Sequence, residues 1–190
     1  MLIVADGMGA HAAGEKASSM AIENIPHQYW KRKDGLPVER LHRSVIDANN
    51  EIYRRGQANP DFHNMGTTTS VLLLLPEGAV CAHAGDSRIY RLRDNVIEQL
   101  TFDHSLVWEM QGGNITDEGL NASMIPKNVI TRSLGPNASV IIDLEGPFPI
   151  RVGDKFLLCS DGLSGQLDDR ELGILMGVLP VDEAAQVMID

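Results

Sequence analysis

The chain has 190 residues, 43% of them hydrophobic, with a net charge of −10 and a pI near 5.0. That length and apolar content suit one folded domain with its own core rather than a disordered chain. No Lys/Arg cluster offsets the acidic balance, which argues against a nucleic-acid partner, and apolar runs such as Val71–Leu75 are far too short to span a bilayer.

The N-terminus lacks the positively charged region of a secretory signal. The chain opens with Leu2-Ile3-Val4-Ala5, an apolar run that reads as a buried strand. Gly14 to Ile25 reads as a helix ended by Pro26, with Ala17, Met20, Ala21 and Ile25 on one face. Glu39 to Arg55 is a clearer helix, with Leu41, Val45, Ala48 and Ile52 as its apolar stripe. Gly56 and Asn59-Pro60 close it.

From Gly66 the texture changes to sheet. Thr67–Leu75 and Ala79–Ala84 read as strands of a hairpin, followed after Gly85-Asp86-Ser87 by Arg88–Arg93 and Val96–Leu100. The four are expected to form a meander. Ser105 to Gln111 reads as a short helix stopped by Gly112-Gly113, and 114–128 as polar, irregular and mobile. Val140–Leu144 and Lys155–Ser160 are the last expected strands. Asp168 with Glu171 forms a capping box for a helix burying Leu172, Leu175, Met176 and Leu179, and Asp182 starts a final helix. Strands grouped apart from helix pairs point to an α+β layered fold. Cys81 and Cys159 fall inside strands and read as buried free thiols of a reduced, cytoplasmic protein. No Cys/His spacing suits zinc.

One phrase occurs twice. Leu2–Ala5 runs into Asp6-Gly7, and Phe156–Ser160 runs into Asp161-Gly162. Each puts a carboxylate at a strand end, where the Gly is expected to allow a sharp turn. Taken alone, each is equally an ordinary Asp-Gly turn. Brought together, the two carboxylates would form an oxygen-rich site suited to Mg²⁺ or Mn²⁺.

Further segments stand in order with this phrase: Gly66-Thr67-Thr68-Thr69, Ala84-Gly85-Asp86-Ser87-Arg88, Leu100-Thr101-Phe102-Asp103-His104-Ser105 and Ile130-Thr131-Arg132-Ser133-Leu134-Gly135. Together with Val4-Ala5-Asp6-Gly7-Met8-Gly9-Ala10-His11 and Cys159-Ser160-Asp161-Gly162-Leu163, they closely resemble the bacterial branch of the metal-dependent Ser/Thr protein phosphatases (PPM family, type 2C). The resemblance covers almost the whole of 1–190, read as a single phosphatase domain.

The resemblance implies a four-layer αββα sandwich, a central antiparallel β-sandwich flanked by helices. It implies two Mn²⁺ or Mg²⁺ ions, with a third possible, in a cleft at one end. Asp6 would bridge both metals, the Gly7 carbonyl would ligate the second, and Asp161 the first. Asp103 would help hold the third; its plainer reading is a helix N-cap. Asp6 and Asp161 are therefore the candidate catalytic residues. A metal-activated water would hydrolyse phosphoserine or phosphothreonine in proteins. Phosphoprotein substrates and a cognate Ser/Thr kinase would be the partners, and 112–128 a flap linked to substrate access.

Other residues stay open between roles. The resemblance puts the Asp86–Arg88 turn by the site, with Asp86 and Arg88 themselves reading as structural pins. Arg132 reads as an ion-pair or flap support, or as a phosphate contact. His11 reads as a loop-positioning residue, His83 and His104 as sheet or cap residues, and Thr67–Thr69 as packing and hydrogen-bonding residues. A haloacid-dehalogenase-type site is disfavoured, because it needs a second Asp two residues after the first and position 8 is Met. The family's Arg and Asn-Glu-Asp motif ahead of Leu2 and its C-terminal Asp-Asn motif do not occur in these 190 residues. The chain is therefore expected to be part of a longer protein, or a short one with an impaired site. Alone, it is expected to bind metal weakly and turn over poorly. A non-catalytic, phosphoprotein-binding regulatory module is the alternative function.

Overall fold

The computed structural model describes residues 1–9, 11–110 and 129–190. The expected flap over 112–128 lies outside the described residues.

Two antiparallel sheets face each other. The first has the order β1 (Leu2–Val4), β4 (Thr69–Leu75), β5 (Gly78–Ala84), β8 (Asp143–Phe148). The second has the order β7 (Val96–Gln99), β6 (Arg88–Arg93), β9 (Lys155–Cys159). A small ribbon pairs β2 (Gly7–Met8) with β3 (Gly66–Thr67). Helices α1 (His11–Lys31) and α2 (Pro37–Ala58) cover the first sheet. The short α4 (Asp161–Ser164), with α5 (Asp169–Val178) and α6 (Val181–Ile189), follows β9, and Leu163, Leu172 and Met188 pack on the second sheet. The expected αββα order of layers is the one observed.

Period-two alternation builds three separate cores, one per layer interface. Val71, Leu73, Val80, Ala82 and Ala84 face the helices α1 and α2. Their strand neighbours Leu72, Ala79 and Cys81 face the other sheet, where they meet Ile89, Phe156 and Leu158. Tyr90, Leu157 and Cys159 point the opposite way, toward Leu172. Both cysteines are buried free thiols. Burial pushes the Cys81 thiol up to about 12 and the Cys159 thiol up to about 11.

Three expectations are corrected. Pro26 does not end the first helix; it lies inside α1. The ring removes one backbone donor, yet Ile25 and Tyr29 are fully buried on either side of it. Arg40 also stacks its guanidinium 4.9 Å from the Tyr29 ring centroid. Packing of the apolar face outweighs the lost bond.

The expected meander is cut in two. β4 and β5 belong to one sheet, β6 and β7 to the other. The break falls at Gly85, whose φ of +121° sends the chain across the sandwich. Finally, the strand expected over Val140–Leu144 begins only at Asp143. The amide of Asn49 donates to the carbonyls of Asn137 and Ala138, holding that stretch away from the ladder.

The short helix expected over Ser105–Gln111 is α3 (Leu106–Met110), as far as the described residues run.

Strand directions locate the cleft. β1 and β5 are both antiparallel to β4 and so run the same way; β7 and β9 are both antiparallel to β6. Asp6, Asp86, Asp103 and Asp161 each follow the C-terminal end of one of these four strands. Asp161, Asp103 and Asp6 all bear electrostatically on Asp86, so the four carboxylates gather at one end of the sandwich.

Candidate metal centre

Asp6 is held through its backbone. Its N–H donates to the Thr68 hydroxyl at 2.9 Å. Its carbonyl accepts from the Thr68 N–H at 2.9 Å and from the Thr67 hydroxyl at 3.0 Å. The Thr68 hydroxyl also shares a 2.7 Å hydrogen bond with that of Ser87. Thr67 and Thr68 thus lock the Asp6 turn to the Asp86 turn, through the hydrogen bonding expected of them.

The glycine of the repeated phrase acts differently from expectation. Neither Gly7 nor Gly162 has a positive φ. Gly7 is required by close approach: a Cβ there would lie 2.0 Å from the Gly14 carbonyl oxygen. Gly162 has only the Ser160 hydroxyl within reach, at 3.5 Å, and simply lies in α4. Asp161 opens α4 rather than a turn.

Asp6 and Asp161 meet. Burial raises the Asp6 carboxyl above its ordinary value, the Asp161 carboxylate raises it further, and the Ser160 hydroxyl opposes the rise. Asp86 is pushed up to about 6, by burial first and then by Asp161, Asp103 and Asp6. It is only 9% exposed. Sequence reasoning places this turn by the site but reads Asp86 as a structural pin; its coupling to the other carboxylates emerges from the fold. The signal available was its place in a turn that switches sheets.

Asp103 lines the same 420 Å³ cleft as Asp86, Arg88 and Asp161. Its oxygens are engaged: Arg88 Nε donates at 2.9 and 3.2 Å, Arg88 Nη2 at 2.6 Å, and Gln99 Nε2 at 3.1 Å. Arg88 in turn donates to the Tyr90 hydroxyl, which donates to Asp169 at the start of α5. Arg132 donates to Asp143 at 2.9 Å, the ion-pair reading of that residue. The side chain of His11 is outside the described part.

Among the described residues, no three Asp, Glu, His or Cys side chains converge tightly enough to form a ready-made metal cage. The cluster is instead a gathering of mutually repelling carboxylates. An all-oxygen, net-negative donor set of this kind fits a hard divalent cation, which would remove the repulsion and keep several waters.

His83 lies under the cluster. Its ring stacks on His104 with centroids 4.8 Å apart, bonds Ser70 through Nδ1, and bonds the Phe102 carbonyl through Nε2. Burial, then His104, lowers its pKa to about 4, against the Phe102 carbonyl, Asp103 and Asp143, which favour the proton. An unfolded imidazole takes a proton near pH 6.5; this one does not until about pH 4. Its contribution to stability is complete above pH 6.5 and is lost as pH falls toward 4. Between pH 7.5 and 5 that loss is about 2 kcal/mol. Asp6 and Asp86 pull the opposite way over this range. The measurement is therefore urea unfolding of wild type against His83→Asn: wild type should lose about 2 kcal/mol more on acidification. Equal losses would contradict a buried neutral His83.

The fold thus places an acidic, oxygen-rich cleft at one end of the sandwich, and comparison with known proteins identifies the family. The family model described as protein phosphatase 2C matches residues 1–185. The chain belongs to that family. It is 36% identical over 197 residues to the serine/threonine phosphatase stp of Listeria monocytogenes, covering all of this chain and 77% of that relative. It matches the crystal structure of the Mycobacterium tuberculosis serine/threonine phosphatase PstP/Ppp with a TM-score of 0.86 and 35% identity, covering 99% of this chain and 79% of that one. The catalytic domain of PstP in complex with two manganese ions matches with a TM-score of 0.81 at 34% identity, covering 99% and 78%.

Proposed function

We propose that residues 1–190 form one metal-dependent protein phosphatase domain that hydrolyses phosphoserine and phosphothreonine in proteins. The observation that carries this is that Asp6 and Asp161, which follow strands of different sheets, come close enough for Asp161 to raise the Asp6 carboxyl. The named relatives are Ser/Thr phosphatases, which favours turnover over the regulatory-module alternative.

Asp6, the Gly7 carbonyl and Asp161 would hold Mn²⁺ or Mg²⁺, with Asp86 as a further carboxylate donor. Bound divalent cations supply a water of lowered pKa and positive charge against the phosphate oxygens. The chain's own part is to fix those donors: Thr67 and Thr68 hold the Asp6 backbone, and Gly14 abuts the Gly7 carbonyl. Asp103 would reach a third cation only on release from Arg88.

Phosphoproteins are the substrates of this reading, and a Ser/Thr kinase that writes the same marks is its natural counterpart. A reducing cytoplasm suits the two buried free thiols. No helix among the described residues is long and apolar enough to cross a membrane.

The test is release of inorganic phosphate from a phosphothreonine peptide by the purified chain. We expect slow but measurable release with MnCl₂, because the family's flanking Arg and Asp-Asn motifs do not occur in these 190 residues, and none with EDTA. A chain that binds Mn²⁺ yet releases no phosphate would overturn catalysis while leaving the metal centre standing.

A further inference from the structure

His104 grips the backbone that carries Asp86 at two points. Its N–H donates to the Gly85 carbonyl at 2.8 Å, and the Gly85 N–H donates to its Nδ1 at 3.1 Å. An Nδ1 that accepts leaves the ring proton on Nε2. Nε2 lies 2.8 Å from Asp143 Oδ2, so the ring donates to that carboxylate. Asp143 is fixed in turn by Arg132. The result is a directional chain, from Arg132 through Asp143 and His104 to Gly85.

Gly85 needs such a grip. Its φ of +121° is open only to glycine at low cost, and a Cβ there would lie 2.6 Å from Thr68. Thr68 holds the far side of the turn through Ser87. His104 holds the near side. Between them, His104 and Thr68 hold the backbone on either side of Asp86.

We infer that His104, oriented by Asp143, is a positioning residue that aims the Gly85–Asp86 turn into the metal centre. The inference rests on the metal-centre reading above. It also couples that centre to the 129–132 segment. The Thr131 N–H donates to the His104 carbonyl, and Ser105 bridges to Ile130. A displacement of that segment would therefore reach Asp86 through one imidazole.

The two halves of the imidazole can be separated by substitution. In His104→Asn, the carboxamide oxygen can stand where Nδ1 stood and accept from Gly85, while the Asp143 contact is lost. In His104→Gln, the longer amide reaches the Nε2 position and keeps Asp143, while the Gly85 acceptor is lost. Mn²⁺ affinity by isothermal titration calorimetry and unfolding temperature in EDTA are measured for the wild-type chain, both variants and His104→Ala. We expect His104→Ala and His104→Gln to weaken Mn²⁺ binding about tenfold or more, the range seen when groups orienting metal ligands are removed. His104→Asn should stay within a few-fold of wild type, although its unfolding temperature falls as far as that of His104→Gln. Should His104→Ala fail to fold, the Asn and Gln pair still decides. Equal Mn²⁺ affinity in that pair would overturn the positioning role. A wild-type chain that binds no Mn²⁺ would overturn the metal-centre reading and the inference with it.

Discussion

Asp6→Asn and Asp161→Asn should each remove about 10³-fold of the Mn²⁺-dependent phosphate release, the order expected when several kcal/mol of cation stabilisation is lost. Each should also bind Mn²⁺ far more weakly. Metal-free stability should move the other way. The raised Asp6 pKa means that its ionised form is disfavoured in the fold, by burial and by Asp161. A neutral amide of the same shape escapes both penalties. The unfolding temperature in EDTA should therefore rise for Asp6→Asn above wild type. The combination is diagnostic: a site kept for chemistry costs stability, and its loss gives stability back. Asp6→Asn that keeps Mn²⁺ affinity and Mn²⁺-dependent release would end the assignment of this residue.

Gly14→Ala sets two principles against each other. Gly14 lies in the first turns of α1, where alanine is the better helix former by about 1 kcal/mol. Propensity alone predicts stabilisation. The tertiary contact predicts the reverse. A Cβ at position 14 would sit 2.8 Å from the Gly7 carbonyl oxygen and 2.9 Å from its carbon. Backbone on both sides leaves no flexible side chain to yield, so α1 or the Gly7 turn must shift. We expect a net loss of about 1–3 kcal/mol in urea unfolding, the usual cost of overpacking. We expect weaker Mn²⁺ binding as well, because the group displaced is the carbonyl assigned to the metal. A more stable variant with unchanged Mn²⁺ affinity would show that the contact has slack.

Much of the fold could be read ahead of the coordinates because its signals are local. The stripe Leu41, Val45, Ala48, Ile52 is buried along α2. The capping box at α5 makes both of its bonds, Glu171 N–H to Asp168 at 2.8 Å and Asp168 N–H to Glu171 at 2.9 Å. The larger misreadings of the fold are non-local. Pro26 stops a helix only when nothing across the groove requires Ile25 and Tyr29. Four strands in succession read as a meander until one glycine carries the chain into the facing sheet. The site divides in the same way. Asp6 and Asp161 announce themselves by a repeated phrase. The place of Asp86 among the carboxylates, the capture of Asp103 by Arg88 and the pairing of His104 with Asp143 follow only once that crossing is known.

The carboxylates sit on opposite halves of the molecule: Asp6 beyond a strand of one sheet, Asp161 beyond a strand of the other. Cations seated between them would rivet the two leaves of the sandwich at their open end. Such a rivet contributes to cohesion by mass action, about 2.7 kcal/mol when free metal stands at 100 times its dissociation constant. Chelation would then do more than silence the chemistry. It would also unfasten the end of the protein that carries the proposed site, so that ions bound there would serve as a clasp of the fold.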